Sequence, residues 1–263
     1  MTMTRAAHRY RATVAYAGTW FKGFQFQENA ERTVQAVLET AIAAFAGEGP
    51  VRVHAAGRTD AGVHADGQVI HFDLWTPREP VRIREGVNAL LPWDVRLLDA
   101  ALAPEGFLSR RDAAWKEYLY RWSRAAVIPP KDSLFIAPIA KTADAAPMRA
   151  AAGALTGRKD FSIFGVRAAG VGVGAEGGFR RIYAAEVNEV GEEIRFLIRG
   201  DAFLRGMVRS ICGVLAHVGR EKAPTDRIAE LLRTADRTLL APKAAARGLT
   251  LARVHYEEAH HET

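Results

Sequence analysis

Tyr10-Arg11-Ala12-Thr13-Val14-Ala15-Tyr16 alternates buried-type with more polar or smaller side chains, the period of a half-buried β-strand. Working outward, Gly18 to Glu28 is rich in glycine and aromatics, and Thr33 is placed to cap a helix. Val34, Val37, Leu38, Ala41, Ile42 and Phe45 then recur at helical spacing, until Gly47-Glu48-Gly49-Pro50 stops the pattern. Val51 and Val53 begin another strand, a loop interrupts, and Gln68 to Leu74 forms the next strand with Ile70, Phe72 and Leu74 on one face. A second unit starts near Lys116, where Tyr118, Tyr120 and Trp122 alternate with Glu117, Leu119 and Arg121. Pro129, Pro130 and Pro138 mark an irregular connection, and a helix follows around Met148 to Leu155. Arg181 to Val190 and Ile194 to Arg199 read as a hairpin with Asn188 and Gly191 near its turn. A longer helix from about Phe203 to Val218 buries Leu204, Met207, Val208, Ile211, Cys212, Leu215 and Val218. The fold class is therefore α+β: two units of similar plan, each an antiparallel sheet with helices on one face.

The 263 residues suffice for one large domain or two ordinary ones, and their composition is that of a soluble globular protein. Such a chain buries enough core to need no disulfide or metal staple. The single cysteine excludes an internal disulfide framework and suits a reducing, cytoplasmic location. No apolar run reaches the length of a membrane span, and no apolar stretch follows the basic N-terminus as a signal peptide requires. Lys and Arg exceed Asp and Glu by six, and the sequence pI is about 9.7, a balance that favours a polyanionic partner.

Gly172, Gly174 and Gly177 satisfy the dinucleotide-binding pattern, but a strand and not a helix follows them. Ala168 to Gly178 accordingly reads as a mobile loop, and no dinucleotide cofactor is expected. His54, His64 and His71 lack ligand spacing, so no metal is expected either. The segment Ala55 to His71 differs. Glycines at 57, 62 and 67 permit tight turns and close approach, and between them stand Arg58 and Asp60, on a loop joined to strands at both ends. By composition alone, a loop-stabilising role for Asp60 competes evenly with a chemical one.

The run Ala55-Ala56-Gly57-Arg58-Thr59-Asp60-Ala61-Gly62-Val63-His64, continuing to Phe72, resembles the signature of the tRNA pseudouridine synthase A family around its nucleophilic aspartate. Tyr16-Ala17-Gly18, Gly23-Phe24-Gln25, Thr33-Val34-Gln35, Asn88 to Pro92 and Phe107 to Arg110 resemble further family segments. Lys116 to Tyr120, Asp160-Phe161-Ser162, Met207-Val208-Arg209 and Gly248-Leu249 follow in the family's order. The resemblance implies isomerisation of uridine to pseudouridine at positions 38, 39 and 40 of the tRNA anticodon stem-loop, without a cofactor. It implies two ferredoxin-like, RRM-like halves forming a continuous antiparallel sheet, and a homodimer. Residues 1–112 would be the half carrying the aspartate loop, and residues 113–263 the half completing the active site.

Such a reaction breaks the N1–C1′ bond, turns the uracil and joins its C5 to C1′. An ionised aspartate suits it as nucleophile or base. The resemblance makes Asp60 that catalyst and Arg209 the cation that keeps it charged. It gives Arg58 the space vacated by the flipped base, and it places Tyr118 and Leu249 on the two sides of the uracil. Read by pattern alone, Arg209 is a solvated helix position beside Arg205, and Tyr118 is one member of an apolar strand face. Leu204-Arg205-Gly206 departs from the family, which carries His or Tyr there, and puts a glycine in the expected helix. Two other readings compete. An RNA-binding module without chemistry would explain the charge but not the loop carboxylate. A glycoside hydrolase pairing Asp60 with Asp66 or Asp73 finds no support in their spacing.

Overall fold

In the computed structural model, which describes residues 7–29, 31–165 and 177–257, the alternating stretch at Tyr10 forms strand β1 (His8–Tyr16). It is followed by α1 (Val34–Ala46), β2 (His54–Ala55), β3 (His64–Leu74), α2 (Pro80–Leu90) and β4 (Val95–Leu102). These belong to a first unit of Met1–Ala114 with Leu251–Thr263; Trp115–Thr250 is the second. In the first, β1 lies antiparallel between β4 and β3, and β2 pairs with β3.

The register explains the sequence pattern. Tyr10 faces Phe72 and Ala12 faces Ile70 across β1 and β3, while Val14 faces Leu97 across β1 and β4. Tyr10, Ala12, Val14 and Tyr16 are all buried, and the Tyr10 and Phe72 rings stack at 5.9 Å. Helix α1 starts where Thr33 Oγ1 accepts the Ala36 N–H at 3.3 Å, and it stops at Gly47 in the left-handed conformation. It buries Leu38 and Ile42, and α2 buries Ile83 and Val87. Fully burying each such side chain contributes about 1.5–3 kcal/mol.

The second unit contains β5 (Trp115–Ser123), α3 (Pro130–Ser133), β6 (Ala137–Pro138), α4 (Ala145–Ala152), β7 (Gly157–Asp160), β8 (Phe179–Val190), β9 (Glu193–Gly200), α5 (Met207–Gly219) and α6 (Arg227–Thr234). Its strands run in the order β5-β9-β8-β7, with β6 beside β5. Tyr118, Tyr120 and Trp122 face Ile198, Phe196 and Ile194 across β5 and β9, and all six are buried. Strand β10 (Leu249–His255) ends the regular structure; from Leu251 on it belongs to the first unit, beside β3.

Several expected boundaries move. Val51 and Val53 are buried but pair with no strand among the described residues, and β2 is confined to His54–Ala55. The Met148 helix begins earlier, at Ala145, and tightens into a 3₁₀ turn at Gly153–Leu155. Asn188 pairs with Arg195 inside the hairpin, whose turn is Gly191-Glu192. The long helix begins at Met207 and not Phe203, because Gly206 takes a left-handed φ of 73° at its N-cap. Gly206 is thus a helix start, not a flaw within the helix, and Leu204 stays half-buried before it. Cys212 is a buried core residue of α5, and burial raises its thiol pKa. Most of Ala168 to Gly178, including Gly172 and Gly174, lies outside the described residues, as do His260 and His261.

Candidate functional site

Asp60 stands half-buried in the loop between β2 and β3, beside exposed Arg58 and Ala61. That loop is held by side chains from the paired strands on which it rests. The Tyr16 hydroxyl of β1 lies 2.8 Å from Thr59 Oγ1, in a buried contact. From β3, the Gln68 amide nitrogen donates to the Gly57 carbonyl at 2.7 Å and reaches the Tyr16 hydroxyl at 3.4 Å. The Gly57 N–H donates back to Gln68 Oε1 at 3.4 Å. Tyr16, Thr59 and Gln68 are all buried, so each polar atom in this chain has its partner where water cannot substitute.

The segment Gly18 to Phe24 closes over the loop from the other side. The Phe24 N–H donates to the Thr59 carbonyl at 3.1 Å, and the Gly62 N–H donates to the Phe21 carbonyl at 3.3 Å. The Val63 N–H returns to the Asp60 carbonyl at 3.1 Å, closing a turn around the carboxylate-bearing residue. Gly18 makes this approach possible: a Cβ there would stand 1.9 Å from the Val63 carbonyl oxygen. Its N–H donates to His64 Nδ1 at 3.0 Å, which puts the proton of a neutral imidazole on Nε2. The backbone on both sides of Asp60 is thereby fixed before any substrate arrives, the condition for precise presentation of a reactive group.

Burial pushes the Tyr16 hydroxyl up to about 12, against the opposing effect of its bonds to Thr59 and Gln68, so the phenol stays protonated at neutral pH. Tyr16→Phe is expected to destabilise the first unit by about 1–3 kcal/mol, since it strips the buried Thr59 hydroxyl of that partner. A urea titration of the two proteins measures this; equal midpoints would show that the contact contributes nothing.

A second cluster lies farther along β3. The His71 and His54 rings stack at 4.8 Å, and His71 Nδ1 accepts the Ser109 N–H at 3.1 Å. Burial first, then the neighbouring His54 and Arg9, lower His71 to about 4, with Asp73 and Asp112 opposing. A buried histidine held neutral stabilises the fold above its ordinary pKa, and that stability is lost as pH falls from about 6.5 to about 4. The full shift corresponds to about 3 kcal/mol. Denaturant titrations at pH 7.5 and 4 are expected to differ by less in His71→Gln than in the parent. His217, lowered mainly by burial, remains in both proteins and cancels in that difference. An unchanged pH dependence in the variant would sink the assignment.

In the second unit, Tyr118 is buried on β5 with its ring edge-on to Phe203 at 5.1 Å. Arg209 sits in the first turn of α5, and its Nε donates to the Ala244 carbonyl at 2.9 Å. The Tyr120 hydroxyl donates to the next carbonyl, Ala245, at 2.8 Å. The strap leading to buried Leu249 is thus tied to both α5 and β5. Arg58 and Asp60 share one loop of the first unit, while Tyr118, Arg209 and Leu249 belong to the second. Among the described residues, no group of three or more His, Cys, Asp or Glu is arranged to hold a metal ion. No helix among them is long and apolar enough to cross a membrane.

A sequence model described as tRNA pseudouridine synthase matches residues 12–105 and 151–257. The tRNA pseudouridine synthase A of Solidesulfovibrio magneticus is 39% identical over 254 residues, covering 94% of this chain and 91% of that protein. The protein of the same name from Ligilactobacillus salivarius is 37% identical over 253 residues, covering 95% and 97%. That from Neisseria gonorrhoeae is 38% identical over 257 residues, covering 98% and 95%. The chain belongs to the tRNA pseudouridine synthase A family. As a tRNA pseudouridine synthase it is an isomerase. Arg58, Asp60, Arg209 and Leu249 lie within the stretches matched by the synthase model, and Tyr118 falls between them. What sequence reasoning missed in this synthase is the clamp of Tyr16, Thr59 and Gln68. Its members are 43 and 52 residues apart along the chain, and only the pairing of β1 with β3 brings them together.

Proposed function

We propose that this synthase converts uridine to pseudouridine at positions 38, 39 and 40 of the tRNA anticodon stem-loop, with Asp60 as nucleophile. The observation that carries the proposal is the loop itself: a half-buried carboxylate whose flanking backbone is clamped by Tyr16, Gln68 and the Gly18–Phe24 segment. The exchange breaks N1–C1′ and makes C5–C1′; the C5 hydrogen leaves to water and N1 takes up a proton. Atoms and electrons balance without an added co-reactant.

In this reading Arg58 fills the gap left when the target base leaves the stem, a step costing a few kcal/mol. Tyr118 stacks on the flipped uracil, Leu249 lines its other side, and Arg209 supplies positive charge for the carboxylate. Both units are read as ferredoxin-like. The first runs β1-α1-β2-β3-α2-β4 with β4-β1-β3 adjacent, and the second orders β5-β9-β8 with α4 before β8 and α5 after β9. The reading also includes a homodimer working in the cytoplasm.

The test uses unmodified tRNA whose uridines carry tritium at C5. Release of tritium to water, followed by mapping of pseudouridine to the anticodon arm, is the expected result. Binding without release would leave only an RNA-binding module, and free uracil would indicate hydrolysis. Modification confined to another arm would overturn the assignment to positions 38, 39 and 40.

A further inference from the structure

Trp20 and Trp93 are the outstanding unexplained feature of the first unit. They are 47% and 68% exposed, yet their rings meet edge to face at 5.3 Å and 69°. Trp20 closes the 3₁₀ turn Gly18–Trp20, and Trp93 lies between α2 and β4. The two segments are tied together, since the Ala17 N–H donates to the Asp94 carbonyl at 3.0 Å. Arg32 reinforces the tie. It forms a two-pronged pair with the buried Asp94 carboxylate at 2.7 and 2.8 Å while lying over the Phe21 ring at 4.1 Å.

The pair is therefore rigidly based and openly displayed, a combination that core packing does not account for. In an edge-to-face contact the edge of one indole covers a single face of the other and leaves the remaining faces free of the pair. A flat apolar face in water is a stacking surface for a nucleobase. Cations stand close by in the chain: Lys22 is exposed two residues from Trp20, and Arg96 is half-buried three residues beyond Trp93. Asp94, the acid adjoining Trp93, is already neutralised by Arg32. Glu28 and Glu31 share a hollow with Lys22.

Position gives the pair its meaning. Phe21, directly after Trp20, accepts the Gly62 N–H, which puts the Trp20 Cα within about 11 Å of the Gly62 Cα in the catalytic turn. We propose that Trp20 and Trp93 form a stacking platform for an unpaired nucleotide of the tRNA, one close in the strand to the uridine presented to Asp60. This rests on the function proposed above, in which the substrate is a tRNA loop with unstacked bases. The platform is a binding and positioning element and takes no part in bond exchange.

The test compares the parent with Trp20→Ala/Trp93→Ala and Trp20→Phe/Trp93→Phe. Binding of unmodified tRNA is measured by filter retention, turnover by tritium release, and mass by sedimentation. The double alanine variant is expected to raise Kd and KM about tenfold or more, the loss of stacking on one base, with kcat within about twofold. The phenylalanine variant is expected to recover most of that loss. The dependence of binding on salt should keep its slope, because no phosphate contact is removed. Unchanged Kd and KM in a folded alanine variant would overturn the platform, as would a loss of mass showing that the pair joins two copies of the chain. If the parent binds tRNA but releases no tritium, the proposed function fails, while the Kd comparison still decides the platform.

Discussion

Asp60→Asn is expected to abolish tritium release while leaving tRNA binding and the unfolding midpoint close to those of the parent. The amide has nearly the shape of the carboxylate. Its backbone ties, from the Phe24 N–H to the Thr59 carbonyl and from the Val63 N–H to the Asp60 carbonyl, do not depend on the side chain. What it lacks is the negative charge that makes an ionised carboxylate oxygen nucleophilic. Removing a nucleophile that acts as one unit with its surroundings costs on the order of 10⁴-fold or more in kcat. The measurement is single-turnover tritium release with enzyme in excess, so that slow product release does not mask the chemical step. Activity within tenfold of the parent would remove Asp60 from the reaction.

Gly18→Ala is expected to produce the largest structural effect of any single methyl addition to the clamp. The new Cβ would stand 1.9 Å from the Val63 carbonyl oxygen and 2.5 Å from its carbon. Both neighbours are backbone atoms, so no rotamer change relieves the clash, and the segment or the loop must shift. Overpacking of this kind typically costs about 1–3 kcal/mol. The shift would also lengthen the bonds from Gly18 to His64 and from Gly62 to Phe21, and so release the turn that carries Asp60. Turnover should therefore fall together with stability, whereas Asp60→Asn separates the two. A variant with the parent's urea midpoint and kcat would show that the loop gives way freely and is not clamped.

Local patterns were legible wherever a single element supplied its own evidence. The alternation at Tyr10, the Thr33 cap, the Gly47 stop and the spacing of Val34 to Phe45 each mark one strand or one helix, and β1 and α1 follow them. Helix α2 has no clear sequence signal because it buries only Ile83 and Val87, too few apolar positions to make a visible stripe. Strand β4 is equally hard to see; it keeps Val95 and Leu97 inside but leaves Leu98 and Leu102 exposed, which blurs its alternation. The start of α5 is hidden because the apolar pattern runs on through Leu204, while the left-handed backbone at Gly206 decides where helical bonding begins.

By itself, the sequence determined the α+β class and the motif Gly57 to His64 with its single carboxylate, Asp60. Periodicity, caps and motifs are properties of neighbouring residues, and they survive without knowledge of the fold. Only the tertiary structure decided what holds Asp60. Tyr16 and Gln68 meet because β1 and β3 pair in one register, which brings the loop residue Thr59 to the Tyr16 hydroxyl. A slip of one residue would turn Gln68 to the face opposite Tyr16. Gly18 is needed because two distant backbones touch there, and the exposed Trp20–Trp93 pair exists because Ala17 bonds to Asp94. Contacts between residues far apart in the chain carry no local signature, so they become readable only once the strands are in place.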